Sequence, residues 1–561
     1  MPDTPATQPS TSRPRVHLAA AGAYLLLACA YAWQVLAGFG SRLAGHGGDG
    51  YQNLWNLWWL ERSLLAGQDP FFTPLLHHPH GSTLLLHTLT PLHGLLALPL
   101  DALLGQPVTY NLIFLLSFAA SGFTLYLLLR ELGAGWLPAF LGGCAFTFSH
   151  YHFAHAQGHL NLTGMEWVPL FAFALLRVWR RRRVRDGLLL GLTAGLAVLG
   201  DLYYGLHCAL LAALAAAWSL AAHRREALRA DLLRALAAGL GVFLLTGGWL
   251  VVRVLWAWST TEFVQAHDAR FWSADLQGFF VPGWISAWSG LGAGLSRAWT
   301  GNPAENCWYL GYAALGLGAL AFALRPRGAR PWAWAALALL GVLLALGPAL
   351  HWGGRVVDLP MPFDLFAWLL PPVRMSGAPG RWHFLALLGT SVLAGLGAAA
   401  LGDRLAGRRW LGLPAAHAAQ ALALALLLLE LLPRPIAATP LVRPTWLELV
   451  RAAPAGEAVY ELGDCNLALY HQTLHAHPMV GGCLARNTAQ AERFVRAHPL
   501  LRALRGERGL APGEAPRLAA ALGLRFVLAP NAPRPREVLG RLGLTPRAED
   551  GPLSLWEIPW P

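Results

Sequence analysis

The sequence predicts an all-α polytopic membrane protein of about eleven transmembrane helices, followed by a small C-terminal α/β domain outside the cytoplasm. Three observations carry this expectation. The chain is 55% hydrophobic and 13% charged, with a mean hydropathy of +0.43, whereas a soluble domain carries about 25% charged residues. Apolar runs near the ~20 residues that a bilayer requires recur from residue 17 to residue 432. The 42 basic residues are all arginine, and many sit in short segments between those runs. The net charge of +12 is therefore topology and not the footprint of a nucleic acid.

The candidate spans are 17–39, 109–130, 136–149, 160–179, 187–201, 204–221, 235–257, 308–324, 331–348, 382–402 and 411–432. The first run has no small-residue cleavage site before a soluble domain, so it reads as an uncleaved membrane helix. The run 84–104 is apolar, but Pro91, His93, Pro99 and Asp101 interrupt it. If it spans, Arg180–Arg183 and Arg224–Arg225 fall outside. If it lies along the outer interface, the arginines agree in sidedness. Arg130, Arg180–Arg183, Arg185, Arg224, Arg225, Arg325, Arg327, Arg330, Arg404, Arg408 and Arg409 then face inward with Arg13 and Arg15, as the positive-inside rule requires. Residues 52–104 accordingly read as surface helices, with Trp55, Trp58 and Trp59 at headgroup depth.

The expected domains are 1–432, with a first outer loop of about 40–108, and an extracytoplasmic 433–561 after Pro433-Arg434-Pro435. The tail alternates helical stretches at 446–452, 518–522 and 535–542 with strands at 458–462, 524–528 and 553–558. The chain has six cysteines. Cys29, Cys144 and Cys208 lie in apolar runs as small hydrophobes. Cys465 and Cys483 could pair in an oxidising compartment, a choice that the sequence leaves open.

The residues suited to chemistry gather on the expected outer side. Asp49 follows the first apolar run in Gly-Gly-Asp49-Gly, just ahead of an aromatic stretch. Acids at a membrane boundary often carry function, although Gly-Asp-Gly is also ordinary turn chemistry. His152, His155 and His159 share a helical face. A metal site is one reading; the favoured one is interfacial imidazoles with their tips in water, since no carboxylate or cysteine joins them. His159 and Asn161 open an apolar run, where side chains can reach an outer cavity. Asp201 and Glu166 are acids at membrane depth, read as functional or as a turn acid and a helix–helix hydrogen bond. Arg374 and Arg381 flank a Pro/Gly loop against the positive-inside bias. A guanidinium fork suits a lipid-linked phosphate, and ordinary headgroups are the alternative. No phosphate-binding glycine loop, dinucleotide motif, catalytic triad or HExxH is present.

At these residues the chain resembles the GT-C superfamily of integral-membrane glycosyltransferases. The run Thr90-Pro91…Tyr110-Asn111…Leu129-Arg130-Glu131-Leu132-Gly133 is similar to the stretch after the first loop in protein mannosyltransferases and lipid A aminoarabinose transferases. Arg374-Met375…Arg381-Trp382-His383-Phe384 and Tyr470-His471-Gln472-Thr473…Gly481-Gly482…Arg486 look like the YfhO-like bacterial branch. In the superfamily an acid of the first outer loop is the general base or touches a metal, and Asp49 matches it. A second acid usually lies in the second outer loop. Here 150–161 holds none, and His159 is the nearest substitute.

The resemblance implies an inverting transfer of a sugar from a polyprenyl-phosphate-linked donor to a glycan, lipid or protein acceptor. Asp49 and His159 would be catalytic, and Arg374, Arg381, Asn161, Asp201 and Glu166 would bind substrate. The protein would be multi-pass in the plasma (inner) membrane, among its lipids, with no nucleic-acid partner. It makes no cofactor certain, and a divalent metal is left open. The runner-up is a flippase or transporter of a lipid-linked glycan, which would call for symmetric halves and midplane acids that the sequence lacks.

Overall fold

The structure, a computed structural model, describes residues 14–264, 267–325 and 330–560; Arg13 and Arg327 lie outside the described residues. The chain is mostly helical and divides into two compact units. One comprises Met1–Ala37, Leu112–Trp249 and His267–Ile436; the other comprises Gly38–Asn111, Leu250–Ala266 and Ala437–Pro561.

Five helical segments are long and apolar enough to cross a membrane: Gln106–Glu131, Leu160–Arg181, Leu202–Ala222, Ala230–Thr260 and Pro379–Arg404. Shorter apolar helices include Trp136–Thr147, Tyr312–Leu324, Pro331–Ala345 and Ala415–Glu430. In the first unit, His383–Arg404 packs against all four of these shorter helices. Its most apolar stretch is 89% buried, against 11% for Leu202–Ala222. An apolar helix so exposed faces lipid, while the other is the core of its bundle.

Elsewhere in that unit backbone meets backbone. Gly187, Gly191 and Gly195 recur every fourth residue on helix Val184–Gly200. A Cβ on Gly187 or Gly191 would lie 1.9 Å from the carbonyl oxygen of Ala235 or Gly239. Small residues at this spacing allow the close helix contact that drives association in lipid.

The second unit contains helices Gly47–Leu65 and Pro91–Leu104 and a four-stranded sheet. The sheet order is Thr545–Asp550, Leu553–Glu557, Leu524–Pro530, Ala458–Glu461. Only the last pair is parallel; the other two are antiparallel. Ala458 and Tyr460 pack with Leu500, Leu504 and Ala519, whereas Val459 packs with Trp446, Leu447 and Leu528. The period of two in strand side chains thus divides a core on each face. The expected strands near 458, 524 and 553 coincide with observed ones. The strand Thr545–Asp550 and the helices Cys465–His475 and Ala489–Ala497 were not among the expected elements.

Several expectations are corrected. Residues 52–60 do not lie on a membrane surface. Gln52–Leu57, Trp59 and Leu60 are buried around the whole girth of their helix. Trp55 and Trp59 are at 0% and 1% exposure, so they are core residues and not headgroup anchors. Trp55 donates its indole N–H to Gln472 Oε1 at 2.7 Å, which satisfies the one polar atom of a buried ring. Asp49, expected in a loop, stands in the first turn of helix Gly47–Leu65. His152 and His155 are buried and do not reach toward water. The His152 ring lies flat on Phe118 at 3.8 Å, between the carbonyls of Thr147 and Thr163.

Candidate functional site

In the second unit lies Asp49, the acid singled out in the sequence. Gly48 has non-helical angles (φ −31°, ψ −109°), so the regular helix begins at Asp49. Free backbone N–H groups and the helix dipole favour a carboxylate there. The Asp49 carbonyl accepts from Asn53 Nδ2 at 2.9 Å, and its Oδ1 accepts from Asn466 Nδ2 at 3.4 Å. Asn466 belongs to helix Cys465–His475, which Asp464 caps by accepting from the N–H groups of Asn466 and Leu467. Tyr51 stacks on Tyr470 at 5.2 Å. Burial, and then the Asp464 charge, raises the Tyr51 phenol.

Behind this face is a satisfied polar network. The N–H of Ala485 donates to His87 Nδ1 at 3.1 Å, so the ring proton sits on Nε2 and is donated to Asn56 Oδ1 at 2.9 Å. Burial pushes His87 down to about 3, against the opposing pull of the Asp49 charge. It therefore stays neutral across physiological pH. Gln52 donates to the Cys483 carbonyl at 3.0 Å and accepts from Thr88 Oγ1 at 3.0 Å. Cys465 and Cys483 form a disulfide.

The first unit holds a separate buried cluster. Arg381 sits in the turn Pro379–Trp382, just before helix His383–Arg404. It is 7% exposed, pairs with Glu305 Oε1 at 3.3 Å and lies over the Tyr203 ring at 4.8 Å. Its Nε–H is buried without a hydrogen-bond partner among the described residues. His155 Nε2 lies 3.9 Å from Glu305 Oε2. Burial, helped by His159 and Arg381, holds His155 well below the usual imidazole range. That contact is thus neutral imidazole beside carboxylate, not an ion pair. Asp201 caps helix Leu202–Ala222 through the Tyr203 N–H and accepts from Asn161 Nδ2 at 2.7 Å. The His159 ring is 5.4 Å from that of His155.

The first unit therefore joins Asn161 to Asp201, sets His159 beside His155, and places Arg381 with Glu305 and Tyr203. Glu166 stands apart, accepting from Ser121 Oγ at 3.4 Å in a helix–helix hydrogen bond. Arg374 is exposed on the short helix Pro371–Ser376, unlike the buried Arg381. Glu305 was missed by sequence reasoning. The available signal was a carboxylate in an outer loop three residues before Trp308-Tyr309. Asp275 was also missed; it is fully buried and accepts from the N–H groups of Gln277, Gly353 and Gly354. Among the described residues no three His, Cys, Asp or Glu side chains converge to hold a metal ion.

Comparison with known proteins adds the fold. An arabinofuranosyltransferase, AftD from Mycobacteria, matches with a TM-score of 0.60 and 16% identity over 98% of this chain, which spans 42% of that one. At this identity the match shows a shared fold. An oligosaccharyltransferase, AglB from Archaeoglobus fulgidus, solved with an inhibitory peptide and a dolichol-phosphate, aligns at TM-score 0.47 and 12% identity over 93% of this chain and 70% of that one. ArnT from Cupriavidus metallidurans, solved with undecaprenyl phosphate, aligns at 0.40 and 13% identity over 97% and 98%. No curated protein matches significantly. One family model covers residues 19–429, and the chain belongs to that family, DUF6311, described as a domain of unknown function.

Proposed function

We propose that the protein is a membrane glycosyltransferase of the GT-C type. It moves a sugar from a polyprenyl-phosphate-linked donor to a glycan, lipid or protein acceptor on the extracytoplasmic face of the plasma membrane. The observation that carries the reading is a half-buried carboxylate, Asp49, opening the helix after the first apolar segment of a chain with the fold of an arabinofuranosyltransferase. Fold alone does not fix function; the acid at that position supplies the chemistry.

In the inverting step the acceptor hydroxyl attacks the anomeric carbon as Asp49 takes its proton. The bond from the anomeric carbon to the lipid phosphate breaks, and the phosphate leaves with the electron pair. Arginine neutralises that charge; the unpartnered Nε–H of Arg381 and the exposed fork of Arg374 are suited to it. His159 is a second catalytic candidate. Asn161 and Asp201, already bonded to each other, would orient substrate, whereas Glu166 has the weaker case because it is engaged with Ser121. The proposal retains about eleven spans: five long apolar segments, the four shorter helices, and Pro14–Tyr31 with Val184–Gly200, the tail from residue 433 lying outside. The direct test is incorporation of labelled sugar from a polyprenyl-phosphate donor into membranes carrying the protein. No incorporation with any such donor would refute it.

Two further results are expected. Arg534 is exposed at the start of helix Pro533–Arg541. In intact cells, Arg534→Cys reacts with a membrane-impermeant maleimide. Protection until the cells are opened would put the sheet-bearing tail on the cytoplasmic side and remove the proposed sidedness. Arg374→Lys, although charge-conserving, weakens polyprenyl-phosphate binding to the purified protein by roughly tenfold, the worth of one charge-assisted hydrogen bond. Equal affinity would mean that Arg374 meets only bulk headgroups.

A further inference from the structure

We infer that Asn466 is a positioning residue for the Asp49 carboxylate, and that the Cys465–Cys483 bridge holds it in place. The inference rests on the reading of Asp49 as the base.

Both ends of the bridge bear on one face of the same helix. Asn466, next to Cys465, points its amide at Asp49 Oδ1, 3.4 Å away. At the other end the Cys483 carbonyl accepts from Gln52 Nε2 at 3.0 Å. Asp49 and Gln52 are three residues apart on helix Gly47–Leu65, so they share a face. Gln52 is itself fixed by Thr88 Oγ1 at 3.0 Å. The cysteines are 18 residues apart in sequence, and the loop that they close contains helix Cys465–His475. That helix contributes the Tyr470 ring under Tyr51 and Gln472 Oε1 for the Trp55 indole. These two contacts secure the middle of the helix interface. The end that carries Asn466 is secured by the bridge.

The amide orientation follows from chemistry. A carboxylate only accepts, so the NH2 group must face Asp49, and Asn466 Oδ1 is left buried with no partner. At 3.4 Å the bond is long, and small drifts would lose it. Closing the loop with a disulfide removes conformations in which Asn466 swings away. A base works only when its lone pair is aimed at the acceptor proton, so aiming the carboxylate acts on the chemical step more than on binding. Cys465 is exposed, so the bridge is open to an added reductant.

The test uses the full-length protein in lipid nanodiscs. Asn466→Ala lowers kcat by roughly 3- to 10-fold, as loss of one hydrogen bond would, with the acceptor KM unchanged. Asn466→Gln, which keeps an amide donor, regains part of the loss. Dithiothreitol supplies two electrons and two protons, leaves two thiols and becomes its own cyclic disulfide. That treatment, or the Cys465→Ser/Cys483→Ser pair, lowers wild-type kcat by a similar factor and has no further effect in Asn466→Ala. Independent, additive losses would overturn the inference, as would a change confined to KM. Hydrogen exchange supplies a readout that needs no transfer: opening the bridge accelerates exchange of the backbone amides near residues 49–53. Unchanged exchange there would also overturn it. A wild type that transfers no sugar, yet shows the exchange response, would sink the glycosyltransferase reading and leave the coupling standing.

Discussion

Asp49→Asn abolishes detectable sugar transfer while the protein keeps its fold. A positioned general base contributes about 10²–10⁴-fold to rate, and an amide in its place cannot take the acceptor proton. The change is nearly isosteric. The Asp49 carbonyl still accepts from Asn53, and a side-chain oxygen is still available to Asn466. What the fold loses is one negative charge in the first helical turn, a matter of about 0.3–1 kcal/mol. Activity and stability therefore separate. The measurement is labelled-sugar incorporation in membranes, controlled by expression level and by thermal unfolding in detergent. His159→Ala run alongside impairs transfer less, because its ring is half-buried beside His155 in the first unit, whereas Asp49 supplies the carboxylate that takes the acceptor proton. Near-normal transfer by a well-folded Asp49→Asn protein would overturn the mechanism and raise a transporter of lipid-linked glycans above it.

How much of this was legible in the sequence depended on whether a signal was local. Apolar length is local, so the long segments at Gln106–Glu131 and Pro379–Arg404 could be read directly. The period of two in Ala458-Val459-Tyr460 and in Leu524–Leu528 is local as well, and those strands were found. Burial is not local. Trp55, Trp58 and Trp59 have the composition of an interfacial belt, and nothing in that composition tells a headgroup from Gln472, which is 417 residues away along the chain. The histidines of 150–159 misled for the same reason. Their helical spacing fits an amphipathic surface, yet the partners of His152 are backbone carbonyls of Thr147 and Thr163 in a closed interior.

Among the residues singled out, Asp49, Asn161 and Asp201 were conspicuous because an acid or amide at the end of an apolar run stands out. Glu305 was not. Its one local signal is the nearby Trp308-Tyr309, and only folding sets it beside Arg381, 76 residues later. The same fact changes how Arg381 is read. From sequence it was a cation for a lipid-linked phosphate or for ordinary headgroups; in the structure it has a carboxylate partner and a tyrosine face, with its Nε–H left over.

That pairing makes Glu305 a position where a single substitution costs heavily in stability. Glu305 and Arg381 are 3% and 7% exposed, so neither charge is solvated. Removing one member of a buried pair strands the other, at about 3–5 kcal/mol. Glu305→Ala therefore lowers the unfolding midpoint in detergent steeply. Replacing both charges with apolar groups of similar volume, Glu305→Leu with Arg381→Met, restores most of the loss, because a dry apolar contact replaces a costly desolvated pair. The double variant is the informative one. If Arg381 serves only to neutralise Glu305, a stable double variant transfers sugar normally. If its remaining N–H meets the leaving phosphate, the same stable protein is inactive, and that is the expected result. Unfolding midpoints of the single and double variants, read beside sugar incorporation by the double variant, decide it. A Glu305→Ala protein as stable as wild type would show that Arg381 draws its counter-charge from elsewhere in the first unit, with Asp201, whose charge also acts on it, the acid to examine next.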